Sequence, residues 1–143
     1  MKPSNLLRVA FALALLELAG HTFLIFSFVP KHGIAEETII AAMKSQAFSF
    51  SGSYRTYWDM YFGYELFVSL SLIVESLILW QLFHATAMPG TRAIAGVLAL
   101  GEAGYALLMI RYFFIIPIAS HTAMAILLSI AWYSLPNPRR ELH

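Results

Sequence analysis

The sequence predicts an all-α integral membrane protein that is built as a bundle of four transmembrane helices. Two properties of the whole chain support this fold class: 59% of its 143 residues are hydrophobic, and only 12% are charged. A soluble domain of similar length carries about 25% charged residues. Four segments also reach the roughly 20 apolar residues that are needed to cross a bilayer. We therefore expect a single membrane domain over residues 1–143.

The first predicted span covers residues 6–29 and ends before Pro30. Lys2 and Arg8 in front of an apolar run also resemble the start of a signal peptide. The run is longer than the hydrophobic core of such a peptide, and Glu17 interrupts it. We therefore expect a transmembrane helix here rather than a cleaved leader.

The loop of residues 30–59 is the longest segment outside the predicted spans. Its apolar residues recur at helical spacing, and charged residues occupy other positions of the turn. This pattern predicts a short amphipathic helix on the outer membrane surface. We expect either a connector that rests in the interface or a lid over a cavity that opens outward. The residues of the apolar stripe are Ile39, Ile40, Met43 and Ala47.

The remaining spans are predicted over residues 60–84, 93–114 and 117–135. A turn sequence containing Pro89 and Gly90 follows the second span. Only Ile115 and Ile116 separate the last two spans, which are therefore expected to form a tight helical hairpin. Small residues let a neighbouring helix approach closely, and the third span offers three of them. These residues are Gly96, Gly101 and Gly104.

The distribution of lysine and arginine favours cytoplasmic N- and C-termini by a narrow margin. The side of the termini holds Lys2, Arg8, Arg92, Arg139 and Arg140, and the opposite side holds Lys31, Lys44, Arg55 and Arg111. We expect a multi-pass protein of the bacterial inner membrane. The net charge of +1 and the lack of a basic stripe argue against a nucleic-acid partner.

Five of the ionisable residues inside the predicted spans are candidates for a common site, because a charge within the membrane costs at least about 2.5 kcal/mol. They are Glu17, His21, Glu65, Glu102 and His121. The helix rise places Glu17 at about 16 Å and Glu102 at about 14 Å from the inner edge of the bilayer. It places His121 only about 6 Å below the outer edge. In a bundle these side chains should turn inward, which predicts a polar pocket in the outer half of the membrane.

The candidate site residues divide into two sets. The catalytic candidates are Glu17, His21 and Glu102, and the candidates for lining the pocket are Trp58, Glu65, Tyr105, Arg111 and His121. Glu75 is rotated about 80° from Glu65 by the helical period. It is therefore expected to lie apart from the pocket, in an ion pair with Arg92 or as a carboxylate that reaches the interface.

Buried glutamate and histidine can exchange protons near neutral pH. We therefore expect the protein to bind or act on a lipophilic molecule, with isomerase-like acid/base chemistry on a sterol, isoprenoid or quinone that enters from the lipid. The architecture resembles membrane isomerases of the emopamil-binding type, which use histidine and glutamate in small helical bundles. This resemblance assigns no residue of the present chain.

Three alternatives stay open at this point. The polar residues can simply fix helix register in a non-catalytic subunit of a larger membrane complex or a homo-oligomer. A metal would use His21, His121, Glu17 and Glu102, although the Glu-x-x-His motif of carboxylate bundles is missing. A b-type haem would take His21 and His121 as axial ligands. No cofactor is favoured.

Two short segments resemble a family of small, uncharacterised bacterial membrane proteins with four spans. These segments are Gly20-His21-Thr22 and Tyr57-Trp58-Asp59-Met60-Tyr61-Phe62-Gly63. The resemblance covers a small part of the chain. It implies the four-span topology and draws attention to His21, Trp58 and Asp59.

Overall fold

The computed structural model describes residues 2–136, and four of its helices are long and apolar enough to cross a membrane. The elements are α1 (Pro3–Phe26), α2 (Ile34–Ser45), β1 (Ala47–Phe50), β2 (Ser53–Thr56), α3 (Tyr57–His84), α4 (Thr91–Tyr112) and α5 (Ile115–Ser134). The spanning helices are α1, α3, α4 and α5. The predicted fold class is therefore confirmed, and the chain is an all-α multi-pass membrane protein. Arg139 and Arg140, on which the predicted orientation partly depends, lie outside the described residues.

Each spanning helix begins two or three residues before the position that hydropathy predicts. The predicted bounds mark where a segment begins to have the pattern of a span, whereas the helix itself can begin earlier, because the N–H groups of a first turn need no partner within the helix. Pro117 illustrates this point, because it lies in the first turn of α5 rather than at its first residue. A proline there loses no intrahelical hydrogen bond.

The outer loop contains the predicted amphipathic helix, α2, and also a β-hairpin that the sequence reading missed. The strands β1 and β2 pair in antiparallel fashion, with Phe50 opposite Ser53. The two connecting residues, Ser51 and Gly52, have positive φ angles of 50° and 85°. Two-residue hairpin turns of the primed type require this backbone conformation. Ala47 therefore belongs to β1 and not to the apolar stripe of α2.

The start of α3 is fixed by a reciprocal pair of hydrogen bonds between Thr56 and Asp59. The backbone N–H of Thr56 donates to Asp59 Oδ2 at 2.8 Å, and the backbone N–H of Asp59 donates to Thr56 Oγ1 at 3.0 Å. This is the arrangement of a capping box, with aspartate in place of glutamate. It stops the hairpin and starts the membrane-spanning helix within four residues of chain.

The helices form two compact units, and α1 and α3 each contribute to both. Unit 1 contains the chain up to Leu18 together with the chain from Leu72 onward, and unit 2 is Ala19–Ser71. Unit 1 has a core to which all four spanning helices contribute. Its largest fully buried apolar side chains are Leu7, Leu79, Met124 and Leu128. In lipid there is no hydrophobic driving force for helix association. We therefore expect the van der Waals packing of these side chains to hold the helices together.

One of the three predicted small positions on α4 is a site of close approach. A Cβ atom on Gly96 would lie 2.9 Å from Cδ1 of Trp132 on α5. No atom of a neighbouring element lies within 4 Å of the corresponding position on Gly101 or Gly104. The prediction that all three glycines serve helix packing is therefore wrong for the latter two.

Candidate functional site

Three polar residues occupy the buried stripes of helices in unit 1. On α4, Glu102 follows Ala95 and Ala99 at helical spacing, and small alanine side chains let neighbouring helices cover the carboxylate. On α5, His121 begins a buried stripe with Met124 and Leu128. Glu17 lies one turn beyond the buried Ala14 of α1. The inward direction that the sequence predicts for these three residues is confirmed.

The imidazole of His121 lies between two glutamates. Its Nε2 is 3.0 Å from Glu17 Oε1, and its Nδ1 is 2.8 Å from Glu102 Oε2. The second oxygen of Glu17 accepts a hydrogen bond of 2.9 Å from the hydroxyl of Ser120. We call Glu17, Glu102 and His121 the buried cluster. Its side chains are 15%, 2% and 7% exposed, so the two contacts lie almost completely inside the protein.

The predicted depth of His121 is wrong. The contacts with Glu17 and Glu102 place its ring at the level of these two carboxylates rather than near the outer edge of the membrane. One reason is that α5 starts at Ile115, two residues earlier than predicted. A glutamate side chain also reaches several ångströms along the helix axis, which a count of backbone rise ignores.

Glu75 lies beside the buried cluster, contrary to the prediction that it stands apart. Its carboxyl is within hydrogen-bonding reach of the Glu102 carboxyl and within electrostatic range of Glu17 and His121. Its Oε1 atom is buried and has no hydrogen-bond partner. The proposed partner, Arg92, instead places its guanidinium 5.2 Å from the ring centre of Trp132. The sequence signal for Glu75 was available, because it is a carboxylate in the middle of an apolar span.

Two further predicted pocket residues of unit 1 have different surroundings. The ring of Tyr105 lies 5.3 Å from the ring of His121, which makes it a neighbour of the buried cluster. Arg111 is exposed, and its guanidinium lies 5.5 Å from the ring centre of Tyr112. Arg111 therefore forms a surface contact, while Tyr105 covers one side of the imidazole.

Unit 2 contains the other predicted residues, His21, Glu65 and Trp58. His21 Nε2 is 3.1 Å from the backbone carbonyl oxygen of Glu65 and 3.5 Å from its Oε2, so an N–H there donates mainly to the carbonyl. Trp58 packs against Phe28, with ring centres 6.2 Å apart. The ammonium group of Lys44 on α2 lies 4.3 Å from the centre of the same indole. Trp58 thus has the surroundings of an interfacial anchor.

An apolar cavity of about 350 Å³, open to the surface of the helices, lies in unit 1 between α1 and α3. Its lining consists of apolar side chains and a single hydroxyl-bearing residue, Ser76. Ser76 is buried, and its Oγ has no hydrogen-bond partner. Two lining residues, Leu18 and Ser76, are the immediate sequence neighbours of Glu17 and Glu75. The lining residues are Phe11, Leu15, Leu18, Ile73, Ser76, Leu77 and Trp80.

Metal or haem ligation finds little support in this geometry. Over residues 2–136, no group of three or more histidine, aspartate or glutamate side chains is arranged to hold a metal ion. A haem iron would need a free ring nitrogen on His121, and both nitrogens of that ring contact carboxylates. The donor set of the buried cluster instead suits proton exchange, since histidine and glutamate both bind and release protons.

The fold and the site together define a small multi-pass membrane protein with a buried carboxylate–imidazole cluster and, in the same unit, an apolar cavity. Comparisons with protein-family models, with curated proteins and with solved structures found no match to this chain.

Proposed function

We propose that this protein binds a lipophilic molecule in the cavity of unit 1 and performs acid/base chemistry on it with the buried cluster. A sterol, an isoprenoid or a quinone is the expected class of ligand, and isomerisation by proton transfer is the expected reaction. We further propose that the protein resides in a bacterial inner membrane with both termini in the cytoplasm.

The observation that carries this proposal is an apolar cavity in the unit that also contains the buried cluster, with walls formed by α1 and α3, the helices of Glu17 and Glu75. Ligand sites are mostly apolar, have volumes of roughly 300 to 1,000 Å³ and contain a few polar groups that orient the ligand. The cavity has about 350 Å³, and its walls include Leu18 and Ser76, each next to a glutamate in the sequence. Hydrocarbon from the membrane can occupy such a cavity without loss of hydrogen bonds.

The buried cluster supports the chemical part of the proposal. A histidine between two carboxyl groups can accept a proton from one of them at one ring nitrogen. It can then release a proton to the other carboxyl group from its second ring nitrogen. Positioned acid and base groups of this kind contribute roughly 10²- to 10⁴-fold to a reaction rate. The apolar surroundings also strengthen every charged interaction within the cluster.

A second candidate function is structural. The contacts of the buried cluster connect α1, α4 and α5, and each side chain is at least mostly buried. Interhelical hydrogen bonds in membranes contribute about 0.6 to 2 kcal/mol each. In a non-catalytic subunit of a larger membrane complex, these hydrogen bonds between helices would be the whole role of the buried cluster.

Photolabelling of the reconstituted protein separates the two candidates. The probes are a diazirine-bearing isoprenoid alcohol and a diazirine-bearing sterol. Leu77 lines the cavity, and Leu70 on the same helix does not; each is 57% exposed. We expect L77W to fill the cavity and abolish labelling of Phe11 and Leu15, and L70W to leave the labelling unchanged.

Equal labelling of the wild type and L77W would contradict ligand binding in the cavity. The variant Glu17→Gln then tests the structural candidate, because glutamine keeps the shape of the side chain but removes its charge. If E17Q is less stable than the wild type and the wild type binds no probe, the structural candidate is supported. The buried cluster then serves only as a contact between helices.

A further inference from the structure

The buried cluster and Glu75 together contain more negative charge than positive charge. The carboxyls of Glu17 and Glu102 contact a single imidazole, and the carboxyl of Glu75 is within hydrogen-bonding reach of Glu102. Within residues 2–136, no lysine or arginine forms an ion pair with any of them. Three carboxylates and one imidazolium would leave a net charge of −2 inside membrane-spanning helices. Such a charge is strongly disfavoured in an apolar interior.

The contacts of His121 show where protons are needed. Carboxylate oxygens only accept hydrogen bonds, so both contacts are satisfied when each ring nitrogen donates a proton. The imidazole then cannot also supply a proton to Glu75. Ser120 is already committed to Glu17 through its hydroxyl. The ring of Tyr105 is tilted by 43° to that of His121, with the ring centres 5.3 Å apart.

The pair of Glu75 and Glu102 is therefore the place where an additional proton is required. Two carboxylates in contact cannot both be ionised without strong repulsion, and one proton between them replaces repulsion with a hydrogen bond. The same proton lowers the net charge of the four groups from −2 to −1. Oε1 of Glu75 is buried and has no hydrogen-bond partner.

We propose that Glu75 and Glu102 share an exchangeable proton and that unit 1 contains an intramembrane proton-binding site. The site extends across four helices, from Glu75 on α3 through Glu102 on α4 and His121 on α5 to Glu17 on α1. The ligand of this site is a proton, and the site requires no lipophilic molecule in the cavity. Such a proton site can occur in an enzyme and equally in a non-catalytic subunit.

Infrared spectroscopy of the protein in lipid nanodiscs tests this proposal directly. A protonated carboxylic acid gives a carbonyl stretching band that shifts when water is replaced by deuterium oxide. We expect this band in the wild type around neutral pH and its complete loss in Glu75→Gln. The glutamine amide donates to Glu102 in place of the shared proton, so the variant should still fold.

The matched control is Glu65→Gln, which removes a carboxyl from a spanning helix of unit 2 and should keep the band. Persistence of the full band in E75Q would overturn the assignment to Glu75 and Glu102. Should E75Q fail to fold, the wild type remains decisive, because lack of the band there would itself contradict the proposal. Spectra in sodium chloride and choline chloride should agree. A band that appears only without sodium would assign the site to that cation instead.

Discussion

At the scale of single residues, His121 stands out as a buried histidine whose two ring nitrogens both contact carboxyl groups. Each of its ring nitrogens contacts a different glutamate, and the side chain is only 7% exposed. We expect His121→Ala to lower the free energy of unfolding by about 3 kcal/mol or more, because it leaves buried carboxylates without a donor. Chemical unfolding in detergent micelles measures this loss.

His21→Ala is the matched control for this prediction. The His21 ring is 22% exposed and donates mainly to a backbone carbonyl. Its loss should cost about 0.6 to 2 kcal/mol, as for an ordinary interhelical hydrogen bond. Equal losses in the two variants would mean that the carboxylates around His121 carry no unbalanced charge.

Glu36 offers a pH-dependent contact outside the spanning helices. Its Oε2 accepts hydrogen bonds from the backbone N–H groups of His32 and Lys31, at 2.8 and 2.7 Å, and these bonds hold the pKa of Glu36 below its ordinary value of 4.5. Because the pKa of Glu36 is lower in the folded segment, its ionised carboxylate stabilises that segment at any pH above the ordinary pKa. This contribution is lost as the pH falls through the lowered pKa. The segment before α2 should therefore keep its structure until the pH is below the usual range of glutamate.

The amide NMR shifts of Lys31 and His32 measure this transition. Glu36→Gln should remove it, whereas the control Glu37→Gln should leave it in place. A transition at the ordinary pKa of glutamate in the wild type would contradict the predicted sign.

At the scale of elements, the contact between α4 and α5 depends on Gly96. A Cβ atom there would lie 2.9 Å from the indole of Trp132, so Gly96→Ala must displace that ring. Overpacking of this kind costs about 1 to 3 kcal/mol. We therefore expect G96A to unfold at a lower temperature than the wild type.

Gly101→Ala on the same helix is the control, because nothing lies within 4 Å of its Cβ position. Alanine favours a helix over glycine by up to about 1 kcal/mol, so G101A should match or exceed the stability of the wild type. A destabilised G101A would show that a partner covers this exposed face of α4 in the membrane.

At the scale of the whole molecule, the topology can be tested with single cysteines, because the chain contains none. Ser49 lies in β1 and Met88 in the turn after α3, so one spanning helix separates them. Ser49→Cys and Met88→Cys should react with a membrane-impermeant maleimide from opposite sides of the bilayer. Labelling from the same side would exclude α3 as a span, and exchanged sides would reverse only the proposed orientation.

The elements were largely predictable, and their exceptions have local causes. Hydropathy alone located four spans and the amphipathic helix of the loop. It missed the hairpin, because the Ser51-Gly52 turn dipeptide is flanked by strands of only four residues each and neither strand is buried. The capping box of Thr56 and Asp59 explains why α3 begins before its first apolar run.

The candidate site was predictable only in part. The cost of an intramembrane charge correctly singled out Glu17, Glu102 and His121 as inward-facing residues. The same argument applied to Glu75, but helical phase relative to Glu65 excluded it. Phase over ten residues is a poor guide in a long helix, because different turns meet different neighbours. On α3, Glu65 contacts His21, whereas Glu75 lies beside Glu102.

The sequence by itself determined the class of protein, the four spans and the set of ionisable residues within them. These properties follow from local composition, since the transfer of each segment into lipid depends mainly on its own side chains. Only the tertiary structure decided which glutamate meets which histidine and where the cavity lies. Such contacts depend on where each helix starts and how far its side chains reach, and both contribute to the position of His121 between Glu17 and Glu102.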